Sequence, residues 1–191
     1  MKNVVPVTGP SPHNANLAVK GIIGIGAYAY LVNVSGDSAA AAHYFGIAQS
    51  YVPQWQAKAD DGGTHYKLEY DLSDTWSLKY NLLWQKVLGL DLFPQAVFDR
   101  EETFYATQFS PRYGVPLDNR ADFAKTDWEM WTGAMLSNQT FARIVDALHA
   151  FAQDTPDRVP FSDWVHTAGA RMQGFRCRPV QGGFFAKMIV P

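Results

Sequence analysis

Cysteine is nearly absent: Cys177 stands alone in 191 residues. That excludes an internal disulfide and any metal centre built from several thiolates. Arg176 and Arg178 flank it, but no histidine accompanies it in sequence, so it is given no nucleophilic role. Charge is scarce as well, with 18% charged residues and a formal net charge of -2. The basic residues are scattered, which leaves no stripe to hold a phosphate backbone, and nucleic acid is not an expected partner. No apolar run reads as a membrane span, and Met1-Lys2-Asn3-Val4-Val5-Pro6 lacks the apolar centre of a secretory leader. A membrane partner is therefore not expected either. The five histidines, His13, His43, His65, His149 and His166, fall on separate segments and read as surface or satisfied residues rather than metal ligands. There is no alternation of strand and helix patterns and no internal repeat.

What is present is apolar and aromatic. The hydrophobic fraction is 47%, with 6 Trp, 9 Tyr and 12 Phe, enough for one core of ordinary size. The chain reads as one all-α domain, residues 1–191, with an extended lead-in over 1–13, helical hairpins over 14–175 and a tail over 176–191. Pro6, Pro10 and Pro12 keep the lead-in out of helix. Asn14 or Asn16 caps a helix from Leu17 to Val34, closed by Gly36, and Asp37 or Ser38 opens a second from Ala39 to Lys58, with Pro53 expected to kink it. Gly24-Ile25-Gly26-Ala27-Tyr28-Ala29 fits a dinucleotide fingerprint by letters, but no strand precedes it and an alanine-rich helix follows, so close helix approach is the better reading. The stretch 64–70 suits a short strand or extended loop. A third helix is expected from Asp74 to Leu88, placing Trp76, Lys79 and Tyr80 on one face, and a fourth from Phe93 to Tyr105. A long loop to Arg120 follows, of the length that often carries function. The fifth helix starts at Thr126 and the sixth covers Gln139 to Gln153. Pro160–Trp164 reads as a helical or turn segment, and the tail breaks at Gly182-Gly183.

The organising stretch is Lys125-Thr126-Asp127-Trp128-Glu129-Met130-Trp131. Thr126 with Glu129 three places on has the form of a capping box, so free N–H groups are expected there, in a setting that favours anions. Asp127 and Glu129, two apart, point in different directions and need a partner from elsewhere. Asp118 is the candidate, giving three catalytic candidates: Asp127, Glu129 and Asp118. Arg120 and Lys79 are candidates to hold a substrate carboxylate, and Trp76, Trp128 and Tyr113 to wall the site, with Trp131 beside them. The plain structural alternatives are a cap role for Glu129, a helix-dipole role for Asp127, a loop-fixing ion pair for Asp118 with Arg120, and a tail tether for Arg178. Asn33-Val34-Ser35 and Asn138-Gln139-Thr140 are glycosylation sequons compatible with a secreted glycoprotein.

Five segments carry a resemblance. Ser73-Asp74-Thr75-Trp76-Ser77-Leu78-Lys79-Tyr80-Asn81-Leu82, Lys86-Val87-Leu88-Gly89-Leu90-Asp91-Leu92-Phe93-Pro94, Tyr113–Arg120, Lys125–Met130 and Arg178–Phe185 together resemble, in order, the six-hairpin domain of the fungal glutaminase A family. The resemblance implies an (α/α)6 toroid, of which this chain holds about half, with minor short β or extended segments. It also implies a secreted amidohydrolase that converts L-glutamine to L-glutamate and ammonia without metal or organic cofactor. Two other readings stand beside it: a lectin-like glycan-binding protein and a glycoside-hydrolase-like toroid. The expected ligand is thus a small amino acid or sugar. A half ring leaves helix faces bare, so a homo-oligomer or a complementary segment is expected to cover them.

Overall fold

The computed structural model describes residues 11–109 and 112–191, so the lead-in through Pro10 and Ser110 lie outside it. Helix α1, Ala15–Val34, begins at Asn14, whose side chain accepts the Leu17 N–H. Helix α2, Ser38–Ala59, begins at Asp37, which does the same for Ala40. Between them Gly36 takes a φ of +97°, a left-handed value that suits glycine after a helix end. The two helices fold back on each other as a hairpin, clasped by the buried Trp55 indole N–H donating to Ala15 O at 2.8 Å. Pro53 is accommodated inside α2, which runs on past it. Gly26 brings α1 against the 90–92 turn, where a Cβ would stand 2.7 Å from Leu92 Cδ1. By length and composition α1 is apolar enough to cross a membrane, which the sequence reading did not expect. One face of it, through Val19, Ile22 and Ile23, packs into the core.

The third helix is much shorter than expected. Residues 74–79 run in turn and extended form, followed by a 3-10 turn at Tyr80–Leu82 and helix α3 at Leu83–Leu88. Tertiary pairing outweighs the helical spacing: Leu78 N donates to Leu117 O at 2.8 Å and Asn119 N to Trp76 O at 3.3 Å. A left-handed Asp74, φ 58°, also stops any helix from starting there. Trp76, Lys79 and Tyr80 accordingly do not share a helix face. Helix α3 ends at the left-handed Gly89. Gln85 then stitches the following turn by accepting from Leu92 N and Phe93 N and donating to Phe93 O.

Helix α4, Gln95–Gln108, is longer than expected at its C-terminal end. Strand β1, Phe123–Lys125, leads directly into α5, Thr126–Ala134, and α6, Asn138–Asp154, returns along α5. The α6 stripe of Ile144, Ala147, Leu148 and Phe151 is buried, as helical spacing dictates. The expected helix or turn at 160–164 is instead strand β2, Ser162–His166, which pairs antiparallel with β1 and with β3, Met172–Arg176. Trp164 and Val165, both buried, favour that pleated setting. The tail is a 3-10 segment, Pro179–Ile189, laid across α5 and continuous through Gly182 and Gly183.

Candidate functional site

The β1–α5 junction delivers charge to a buried place. Lys125 ends β1 and stands opposite Trp164 of β2, which brings Asp163 beside it. Lys125 Nζ lies 3.1 Å from Asp127 Oδ1, meets Asp163 Oδ2, and is almost wholly buried with both acids. Arg178 NH1 approaches Asp163 Oδ2 at 3.7 Å from the more open side. One lysine thus bridges two carboxylates, with a guanidinium at the rim. Burial pulls Lys125 below the ordinary 10.5, and the charge of Asp127 opposes that fall. Phe175 covers the cluster: Arg178 lies 4.5 Å and Lys125 5.9 Å from its ring centroid, and Trp164 packs on it. Both Phe175, φ 48°, and Cys177, φ 53°, are left-handed, so the end of β3 that covers the cluster is strained. On the other side Gly183 sits where a Cβ would come within 2.9 Å of Asp127 Cβ and of Trp131 Nε1.

The candidate residues converge only in part. Tyr80 stacks on Trp128, with centroids 4.3 Å apart, and meets Trp131 edge-on, while Trp131 meets Trp84. The two rings therefore bury much of their faces against each other. Asp118 binds Arg120 through Nε–Oδ1 at 2.9 Å and NH2–Oδ2 at 2.6 Å, the geometry of a loop-fixing pair. Lys79 is fully buried and donates to Tyr66 O at 3.0 Å and Ser77 O at 2.8 Å. Burial lowers its pKa below 10.5, with Glu101 and Asp118 opposing. Trp76 is buried against Phe104, and Tyr113 donates to Asp154 Oδ2 at 3.0 Å, away from the cluster.

Thr126 does not cap α5. The N-cap is Lys125 and makes no side-chain cap bond, and Glu129 turns instead to the preceding loop, accepting the Val115 N–H at 2.7 Å. The carboxyl finds its partner across the fold because Tyr113–Val115 runs directly over α5. Complete burial pushes its pKa well above the ordinary 4.5, against the pull of the Val115 N–H. Asp127 and Glu129 do point apart. The acid that meets Asp127 through a shared lysine is Asp163, which the sequence reading placed in a helical or turn segment. No local signal in Ser162-Asp163-Trp164-Val165-His166 marks it; only the pairing of β2 with β1 brings it to Lys125. Among the described residues no three His, Cys, Asp or Glu side chains are placed to hold a metal ion. Three surface cavities of about 430, 450 and 400 Å³ are lined by none of the candidate residues.

Helical hairpins with one small antiparallel sheet define a helical-hairpin domain. The chain belongs to the glutaminase A six helical-hairpin family, whose description matches residues 3–188. It is 38% identical over 188 residues to glutaminase A of Aspergillus oryzae, covering 95% of this chain and 27% of that protein. It is 27% identical over 202 residues to a probable glutaminase of Arthroderma benhamiae, covering 90% of this chain and 23% of that one. The chain therefore spans about a quarter of the length of these relatives. No solved structure is significantly similar to it.

Proposed function

We propose that this chain takes part in hydrolysing the side-chain amide of L-glutamine, with the Lys125–Asp127–Asp163–Arg178 cluster as the reacting centre. The observation that supports this is the sharing of one buried ammonium by Asp127 and Asp163, in a chain whose named relatives are glutaminases. Asp127 draws a proton from water as its oxygen bonds to the amide carbon, and the Lys125 charge stabilises the oxyanion. The carbon–nitrogen bond breaks as Lys125 gives its proton to the departing nitrogen, and the proton held by Asp127 returns to Lys125. Water is consumed and glutamate and ammonia leave. Asp163 holds the lysine in line, and Arg178 takes the α-carboxylate of the substrate. Entry requires the strained end of β3, from Phe175 on to Arg178, to lift away from β2. Asp118 with Arg120, and Lys79, hold the scaffold.

A glycan site needs a free ring face, and the Tyr80–Trp128 stack leaves little of one; this favours amide chemistry over the lectin-like reading. We place the protein outside the cell on the same footing, since Asn33 and Asn138 of the two sequons are exposed. The test is ammonia release from L-glutamine by micromolar chain, run beside retention on immobilised sugars. Ammonia without retention is expected. Retention without ammonia would transfer the site to a glycan.

A further inference from the structure

We propose that Asn33 carries an N-linked glycan whose first N-acetylglucosamine ring lies in the cleft between α1 and α2. This rests on the extracellular placement given above. The cleft measures about 430 Å³ and runs between the end of α1 and the start of α2, with residues 88–90 alongside. Helix α1 turns Gly26, Ala29, Tyr30 and Asn33 toward it, the spacing of a single helix face. Helix α2 contributes Ala41 and Phe45. Small residues thus hollow the groove and two aromatic rings line it. Tyr30 is 51% exposed and enters no ring pair among the described residues, so its face is available to the apolar side of a sugar ring.

The asparagine at the rim selects the occupant. Asn33, Val34, Ser35 and Gly36 are all exposed, and the Asn33 side chain makes no hydrogen bond among the described residues. Its amide nitrogen is therefore uncommitted. In the transfer, Asn33 Nδ2 bonds to the anomeric carbon of a lipid-pyrophosphate-linked oligosaccharide. The carbon–oxygen bond to the pyrophosphate breaks, the pyrophosphate leaves with the electron pair, and one Nδ2 proton passes to a base of the transferase. Ser35 supplies the hydroxyl that completes the sequon, and its only bond is to Val32 O at 2.7 Å, at the frayed end of α1. The second sequon is built differently. Its Thr140 is buried, and Glu102 holds the Thr140 and Ser137 hydroxyls together. The cleft beside it is lined by Asp99, Glu102 and Arg143 without an aromatic ring, so nothing there seats a sugar face.

The experiment maps peptides of the full chain, secreted from a yeast host behind an added leader and treated with peptide N-glycosidase in heavy-oxygen water, which turns each modified asparagine into labelled aspartate. Label at Asn33 is expected, lost in Asn33→Gln and Ser35→Ala and kept in Ser35→Thr and Asn138→Gln. Trimming to a single N-acetylglucosamine should leave the thermal midpoint about 2 to 4 °C above that of Asn33→Gln. In a Tyr30→Ala background that gain should vanish with labelling unchanged. Unlabelled Asn33 overturns the proposal, and a chain held back inside the host is mapped there by the same criterion. A midpoint indifferent to the sugar, or a gain that survives Tyr30→Ala, overturns the seating in the cleft. Ammonia release on the same samples separates the readings: release by unlabelled chain sinks the glycan and spares the amide chemistry, and labelled chain without release does the reverse. In the native source, unlabelled chain in the medium overturns the glycan alone, and unlabelled chain inside the cells overturns the extracellular placement with it.

Discussion

Glu129 lies directly against the backbone of Gly114: a Cβ there would overlap Oε1, the same oxygen that accepts the Val115 N–H at 2.7 Å. Gly114 also holds a φ of +121°. A methyl group there meets both a strained backbone and an occupied space. Gly114→Ala is therefore expected to lose about 3 kcal/mol. Gly36→Ala, with φ +97° but open space around it, is expected to lose only about 1 kcal/mol. Urea unfolding of both variants checks the difference, and equal losses would contradict the contact.

Glu129 also makes stability depend on pH. Its folded-state value is raised by burial, so its contribution is full below the ordinary 4.5 and is lost as pH rises through the raised value. Glu129→Gln keeps an oxygen for Val115 N–H and carries no charge. Stability of the wild type is expected to fall from pH 5 to pH 8 more steeply than that of Glu129→Gln, read from denaturant midpoints. Parallel slopes would mean that the carboxyl is not held neutral.

His65 acts in the opposite direction. It stacks on Phe104 at 4.1 Å, and neither ring nitrogen has a hydrogen-bond partner among the described residues. Burial lowers its pKa below the ordinary 6.5, with Glu101 opposing. The folded state favours the neutral ring, so stability is lost as pH falls below about 6.5, where the unfolded chain takes up a proton. His65→Phe retains the stacking and should flatten this acid-side fall, measured by thermal unfolding between pH 7 and pH 5.5. An unchanged fall would place its origin elsewhere.

Much of the helical frame was legible because it is local. Asn14 and Asp37 are side-chain caps, Gly36 is a helix stop, and the α6 stripe repeats at helical spacing. The failures are places where a distant partner won. Residues 74–79 have helical spacing, yet their backbone is taken by Leu117 and Asn119. Thr126 and Glu129 have the letters of a capping box, yet Glu129 is claimed by Val115, which only the fold brings near. Of the site, Asp127 was legible as a first-turn acid, and its divergence from Glu129 follows from helix geometry. Asp163 was not, since a carboxylate inside a short strand is marked by nothing until β1 and β2 pair and place it on Lys125. Lys79 was read as a free cation because its burial depends on carbonyls of Tyr66 and Ser77.

Lys79 itself should prove structural. Lys79→Met strands the Tyr66 carbonyl and leaves Ser77 O only the Tyr105 hydroxyl at 3.2 Å, at about 2 kcal/mol or more, and should leave the Michaelis constant for glutamine unchanged in whatever fraction folds. A rise in that constant at full stability would return Lys79 to the substrate.

The most direct measurement is the initial rate of ammonia release from L-glutamine by wild type, Asp127→Asn and Asp163→Asn, each first shown by circular dichroism to be folded. The lysine-bridged pair predicts a fall of at least about a hundredfold in Asp127→Asn, the size of a lost general base, and a smaller fall in Asp163→Asn, which only positions Lys125. Folded Asp127→Asn working at the wild-type rate would contradict the account.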